Sequence, residues 1–238
     1  MLKQLMFGAV VCMTGVALAA DASEEVTNAC QKLSDASNYS WKQTVENGGG
    51  GGFGAGTQEG KLEKDGYTLI NITMGDNSFQ VAMKGTKGVV KTEDGWKTSE
   101  ELADEQGPVR FLGMMARNFK SPADQAKDSA SKAKEMKHEE DVYSVDLSGD
   151  DAKALFMMGM RGRRGGNNGG QAPEVSNAKV SLKYWVKDGV LSKYQIHTTG
   201  TVSFNGNDRD IDRTTTVEIS DVGNTKVEVP DDAKKKLG

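Results

Sequence analysis

Apolar residues recur along the chain with two different periods. Over Asp21–Ala36, Val26, Cys30 and Leu33 fall at i, i+4 and i+7, and Asp21 with Glu24 has capping-box spacing, so a helix is predicted there. From Tyr39 the period drops to two, and Tyr39, Trp41, Gln43 and Val45 share one face of a strand. Short segments of the same kind follow. Lys61–Lys64 ends at Asp65-Gly66, and Tyr67–Met74 ends at Gly75-Asp76-Asn77. Phe79, Val81 and Met83 alternate, and Gly88–Thr92 leads to Asp94-Gly95 and Trp96. These segments lie too close together for crossover helices, so the sheet is predicted to be antiparallel.

Between residues 99 and 160 the pattern becomes helical. A helix starting at Pro108 carries Phe111, Leu112, Met114, Met115 and Phe119. Ser121-Pro122-Ala123-Asp124 supplies an N-cap, a proline at the first helical position and an early acid. It opens an alanine- and lysine-rich stretch to about Met136, predicted as a polar helix or a partly disordered one. Asp141–Leu147 reads as a strand, and Ser148–Met160 as a helix. Ala154-Leu155-Phe156-Met157-Met158 is apolar on every side, the mark of a helix buried on several faces. Strict alternation then returns. Ala178, Val180, Leu182, Tyr184 and Val186 oppose Lys179, Ser181, Lys183, Trp185 and Lys187. Asp188-Gly189 and Asn205-Gly206 turn the chain around a long strand, Val190–Phe204, with Tyr194, Ile196, Val202 and Phe204 in phase. Ile211, Thr215, Val217 and Ile219 face the core, and Val227, Val229 and Pro230 lead into a short charged tail, Asp231–Leu237.

The fold class predicted is α+β, with about ten strands in one antiparallel sheet. Long meandering strands curl into a sandwich or an open barrel. The N-terminal and central helices then need an apolar face, and the concave side of a curled sheet, a half-barrel, offers it.

The N-terminus carries an address. Lys3 precedes an apolar run, Leu5–Leu18, and Ala17-Leu18-Ala19 places small residues at a cleavage site. That is the three-part pattern of a secretory signal peptide, and the run is short for a membrane span. Residues 1–19 are therefore expected to be the signal peptide and residues 20–238 one domain, with flexible loops near 47–56 and 161–174. Cleavage removes Cys12 and leaves Cys30 as the sole thiol, so no internal disulfide is expected in the periplasm or outside the cell. Cys30 itself reads as a small core hydrophobe.

Composition narrows the chemistry. A formal charge of −4 lacks the basic excess of a nucleic-acid binder. Only two histidines are present, His138 and His197, and no His-Glu-x-x-His or Gly-x-Ser-x-Gly motif occurs. No catalytic residue, metal or cofactor is expected. Asp208, Asp210 and Asp212 share a strand face, but carboxylates two residues apart on a strand stand roughly 7 Å apart, too wide for one cation. The run Gly48–Gly52 lacks the Gly-Lys-Ser/Thr of a phosphate loop and reads as a flexible connection. The basic segment Arg161–Gln171 reads as a loop, with Arg161, Arg163 and Arg164 able to touch anionic headgroups. Met114, Met115, Met157, Met158 and Met160 lie on two predicted helices beside Phe111 and Phe156, and thioethers adapt to varied apolar shapes as well as filling cores.

The order of elements resembles the LolA-like fold of periplasmic lipoprotein carriers and of related mycobacterial lipid-binding lipoproteins. The resemblance is carried by the export signal, the leading helix and the early strand ending at Trp41. It continues in Tyr184-Trp185-Val186 before the Lys187-Asp188-Gly189 hairpin, and in the closing Val227-Glu228-Val229-Pro230-Asp231-Asp232-Ala233. It implies a half-barrel lined with apolar side chains, closed by helices, that carries an acyl chain or lipid. The glycine run, the arginine-glycine segment and the lack of a lipobox cysteine are departures from the pattern. The expected function is an exported, non-enzymatic, monomeric carrier or binder of a hydrophobic ligand or lipidated protein. The alternative is a protein-binding or sensor module that uses Trp185, an aromatic among lysines. Expected cavity residues are Trp41, Phe79, Phe111 and Met115, together with Leu155, Phe156, Met158 and Tyr184.

Overall fold

The change of period at Tyr39 marks the passage from α1 (Gly15–Asp35) to β1 (Asn38–Asn47). The computed structural model describes residues 15–48, 55–160, 173–204 and 206–238. Residues 1–14 of the predicted signal peptide, most of the glycine run, and Arg161, Arg163 and Arg164 lie outside the described residues.

After β1 the chain meanders through β2 (Gly56–Glu63), β3 (Tyr67–Met74), β4 (Asn77–Lys84), β5 (Lys87–Thr92) and β6 (Gly95–Thr98). The helical middle is α2 (Pro108–Arg117) and α3 (Pro122–Ala130). Next come β7 (Lys137–Glu139), β8 (Val142–Ser148) and α4 (Gly149–Met160). Three long strands follow, β9 (Glu174–Lys187), β10 (Val190–Phe204) and β11 (Asn207–Ser220), and α5 (Asp231–Leu237) ends the chain. The strands make one antiparallel sheet in the order β6-β5-β4-β3-β2-β1-β11-β10-β9-β8-β7. The two edges, β6 and β7, do not pair, so the sheet is an open half-barrel rather than a sandwich.

Local chemistry places the boundaries. Ser121 sits in extended backbone and its hydroxyl accepts the Asp124 N–H at 3.1 Å, the predicted cap of α3. The β9–β10 turn has Asp188 at φ 54° and Gly189 at φ 72°, a left-handed pair that suits a two-residue hairpin. Three details differ from the sequence reading. The first helix reaches back to Gly15 rather than starting at Asp21. The alanine-rich helix α3 stops at Ala130, short of Met136. The charged tail is a helix, α5, whose Ala233 and Leu237 are buried.

Alternation sorts side chains between the two faces. Tyr39, Trp41, Ile70, Val81, Met83, Val90, Leu182, Tyr184, Tyr194 and Val217 belong to one core, shared with α1, α2 and α3, on the concave side. Ala82, Val89 and Trp96 point the other way and meet Val229, Ala233 and Leu237 in a second core under α5. The chain reaches that convex side by a fastened crossing. Ser40 and Thr225 share a hydroxyl hydrogen bond of 2.8 Å, the Thr225 N–H donates to Asn38 Oδ1 at 2.6 Å, and the Val227 N–H donates to Glu63 Oε1 at 2.9 Å.

Candidate functional site: the helix-covered concave face

The helices cover the flanks of the concave face. α2 packs on β4 and β5, α4 packs on β8 and β9, and α1 lies on β9 and β10 with α3 against it. In sheet order, β3, β2, β1, β11 and β10 lie between the flanks. We read the strip between α2 and α4 as a trough, with α1 over its β10 side. Phe79, Phe111, Met115, Phe119, Leu155 and Ile196 are only half-buried there, yet all pack against the main core. Half-exposed aromatic and aliphatic groups ringing a concave apolar surface are the usual make-up of a hydrophobic-ligand site.

Of the residues expected from sequence, Trp41, Phe79, Phe111, Met115, Leu155 and Tyr184 join the main core cluster. Trp41 and Tyr184 are its floor, 3% and 0% exposed. Phe156 belongs instead to a separate cluster with Val175 and Val202, where α4 comes down on the far end of β9 and β10. Met158 is half-buried on the same helix. The methionines are likewise divided. Met115 packs on the main core, whereas Met157 packs with Phe156.

The floor is aromatic. Tyr39 and Trp41 rings lie 6.0 Å apart, the Trp41 indole stacks on Phe119 at 6.1 Å, and Tyr184 stacks on Tyr194 at 6.5 Å. The strand register puts Tyr143, Tyr184, Tyr194, Val217 and Gln43 in one row across five strands. Two of the hydroxyls are tied to α3. Tyr39 OH accepts the Ala123 N–H at 3.4 Å. Tyr184 OH lies 2.8 Å from Ser129 Oγ. Ser129 Oγ also lies 2.9 Å from the Ala126 carbonyl and 3.1 Å from that of Gln125, so either hydroxyl can donate in the Ser129–Tyr184 bond.

Tyr194 differs. Its hydroxyl is fully buried and finds no hydrogen-bond partner among the described residues. Burying a hydroxyl without a partner costs about 1–3 kcal/mol. Burial also holds these groups neutral. It pushes the Cys30 thiol up to about 12, the Tyr194 phenol well above its ordinary value, and Tyr39 and Tyr184 upward too. Cys30, at 0% exposure, is the core hydrophobe its helical spacing predicts. Sequence reasoning placed Tyr194 facing inward but did not single it out. Its sequence signal was alternation alone, and a missing partner becomes visible only in three dimensions.

The remaining candidate chemistry lies elsewhere. His197 Nε2 pairs with Asp212 Oδ1 at 2.9 Å on the exposed convex side. His138 is exposed on edge strand β7 and stacks on Tyr143 at 4.0 Å. The two histidines are on opposite faces of the sheet. Asp208 and Asp210 accept hydrogen bonds from Ser203 and Thr201 across the β10–β11 hairpin. Among the described residues no group of three or more His, Cys, Asp or Glu could hold a metal. Trp185 is half-buried beneath the Lys193 ammonium, 5.1 Å from its ring, which gives the aromatic among lysines a cation partner within the chain. A groove of about 370 Å³ runs between Glu24, Glu25, Asn28 and Lys32 of α1 and Gly189. No helix among the described residues is long and apolar enough to cross a membrane.

No family model matches the sequence, and no curated protein matches it. Among solved structures the chain is similar to the Mycobacterium tuberculosis lipoprotein LppX, at 11% identity and a TM-score of 0.48, over 88% of this chain and 98% of that one. It is similar to LprF from Mycobacterium bovis, at 8% identity and 0.47, over 90% and 97%. It is also similar to a LolA superfamily protein from Nitrosomonas europaea, at 11% identity and 0.31, over 89% and 95%. Each of these likenesses runs along nearly the whole of both chains.

Proposed function

We propose that the protein is an exported, non-enzymatic binder or carrier of a hydrophobic ligand, such as a lipid or the acyl chain of a lipidated protein. The observation that carries this reading is the trough. Phe79, Phe111, Met115, Phe119, Leu155 and Ile196 stay half-exposed over an otherwise closed apolar floor. Flanking helices that bring Phe111, Met115 and Leu155 over the sheet can enclose an acyl chain, and each CH₂ buried contributes about 0.8 kcal/mol. Such affinity needs no reactive group, and the His197–Asp212 pair lies on the opposite, convex face. Export is supported by Lys3, the Leu5–Leu18 run and the small residues Ala17 and Ala19. The arginines Arg161, Arg163 and Arg164 follow α4 directly and supply positive charge for an anionic membrane surface.

The test is the lipid content of protein purified without detergent. Native mass spectrometry is expected to show an adduct, and organic extraction of the same sample should release an acyl-containing molecule. A ligand-free species that also takes up no lipid when lipid is offered would overturn the reading.

A further inference from the structure

We propose that the Tyr194 hydroxyl is the polar anchor of the ligand site, donating a hydrogen bond to the neutral carbonyl oxygen of a bound ester or amide. This rests on the reading of the trough as a hydrophobic-ligand site.

Three observations on the floor support it. Tyr194 is 1% exposed, and its hydroxyl has no partner among the described residues. The tyrosines around it are served, Tyr39 by the Ala123 N–H and Tyr184 by Ser129, so the helix that covers the floor satisfies its neighbours and leaves this donor over. Two residues along the same strand and on the same face is Ile196, half-buried in the trough. Same-face neighbours on a strand stand roughly 7 Å apart, so a carbonyl held at Tyr194 can leave its acyl chain running over Ile196.

The chemistry of the pocket floor selects a neutral group. The polar groups whose fields reach Tyr194 are Tyr39, Tyr184 and Cys30, all uncharged, and none is a cation that could offset a carboxylate or phosphate. A phenol donating to an ester or amide oxygen satisfies both groups without burying charge.

The experiment uses protein stripped of lipid and two radiolabelled probes of equal chain length, methyl palmitate and hexadecane, in equilibrium partition. The unaltered protein is expected to bind both. Tyr194→Phe should weaken methyl palmitate about fivefold and leave hexadecane unchanged, the effect of one lost hydrogen bond. It should not lower the melting temperature of the ligand-free protein, because no internal bond is lost. An equal effect on the two probes, no effect on the ester, or a fall in melting temperature would each overturn the proposal, the last by showing that the hydroxyl already has an internal partner such as a buried water. If the unaltered protein binds neither probe, the ligand-site reading fails, and the anchor with it.

Discussion

Gly60 shows how one residue shapes the floor. It stands opposite Trp41 in the β1–β2 pairing, and a Cβ added to it would lie 2.0 Å from Trp41 Cζ2. The indole therefore lies flat across the glycine. It has no room to retreat, since Tyr39 is 6.0 Å away on one side and Phe119 stacks at 6.1 Å on another. Gly88 does the same for α2, where an added Cβ would meet Ala116 Cβ at 2.6 Å. Gly60→Ala is expected to destabilise the fold by about 1–3 kcal/mol, as overpacking does in a close-packed core. Urea denaturation checks this, and an unchanged midpoint would mean that the indole swings aside freely. In the sequence Gly60 is one glycine among 29, and nothing local distinguishes it from a loop residue. Its meaning depends on a cross-strand partner 19 positions away, which only the register supplies.

At the scale of elements, what was legible was what local chemistry decides. The Ser121 cap, the Asp188-Gly189 hairpin and the alternation of β9 each depend on a few neighbouring residues, and each is found where the sequence puts it. α5 was not legible, because its stability comes from the sheet rather than from its own seven residues. Such a short helix is marginal alone. Here Ala233 and Leu237 are buried against Ala82, Val89 and Trp96. The signal was present in the strands. Val81-Ala82-Met83 and Val89-Val90 are unbroken apolar runs, which a sheet buried on one face does not need. Read as two-sided strands, they require a cover on the convex side, and the C-terminal segment provides it. Leu237→Ala is expected to cost about 2 kcal/mol, the low end for a buried leucine because a terminal helix can settle into the gap. The exposed Lys236–Glu101 pair at 2.6 Å should contribute little, because water screens it. Chemical denaturation of Leu237→Ala and Lys236→Ala, side by side, measures the contrast. Equal losses would show that α5 is held by charge and not by packing.

For the molecule as a whole, the apolar interior was foreseen as a class of surface but not as a place. Periodicity identified inward-facing residues, yet it could not separate Phe156, which packs with Val175 and Val202, from Leu155, which packs on the main core. That division depends on where α4 crosses β9 and β10, a long-range fact. The interior's polar character was hidden for the same reason: Tyr39, Tyr143, Tyr184 and Tyr194 come from four strands and share one concave face. Their burial has a consequence for the entire fold. All four phenols are held above the ordinary value of 10.0, Tyr143 to about 12 with the Glu25 carboxylate adding to burial. The folded state thus keeps protons that the unfolded chain releases near pH 10, so the stability these groups contribute is intact below that pH and falls as pH rises through the raised values. The urea midpoint should be flat from pH 7 to 9 on this account and should drop between roughly pH 10 and 12. Phenolate absorbance from these tyrosines should appear together with unfolding rather than before it. If instead the floor ionised smoothly near pH 10 in protein that remained folded, water would have ready access beneath α3, and the closed interior on which the ligand reading depends would not exist.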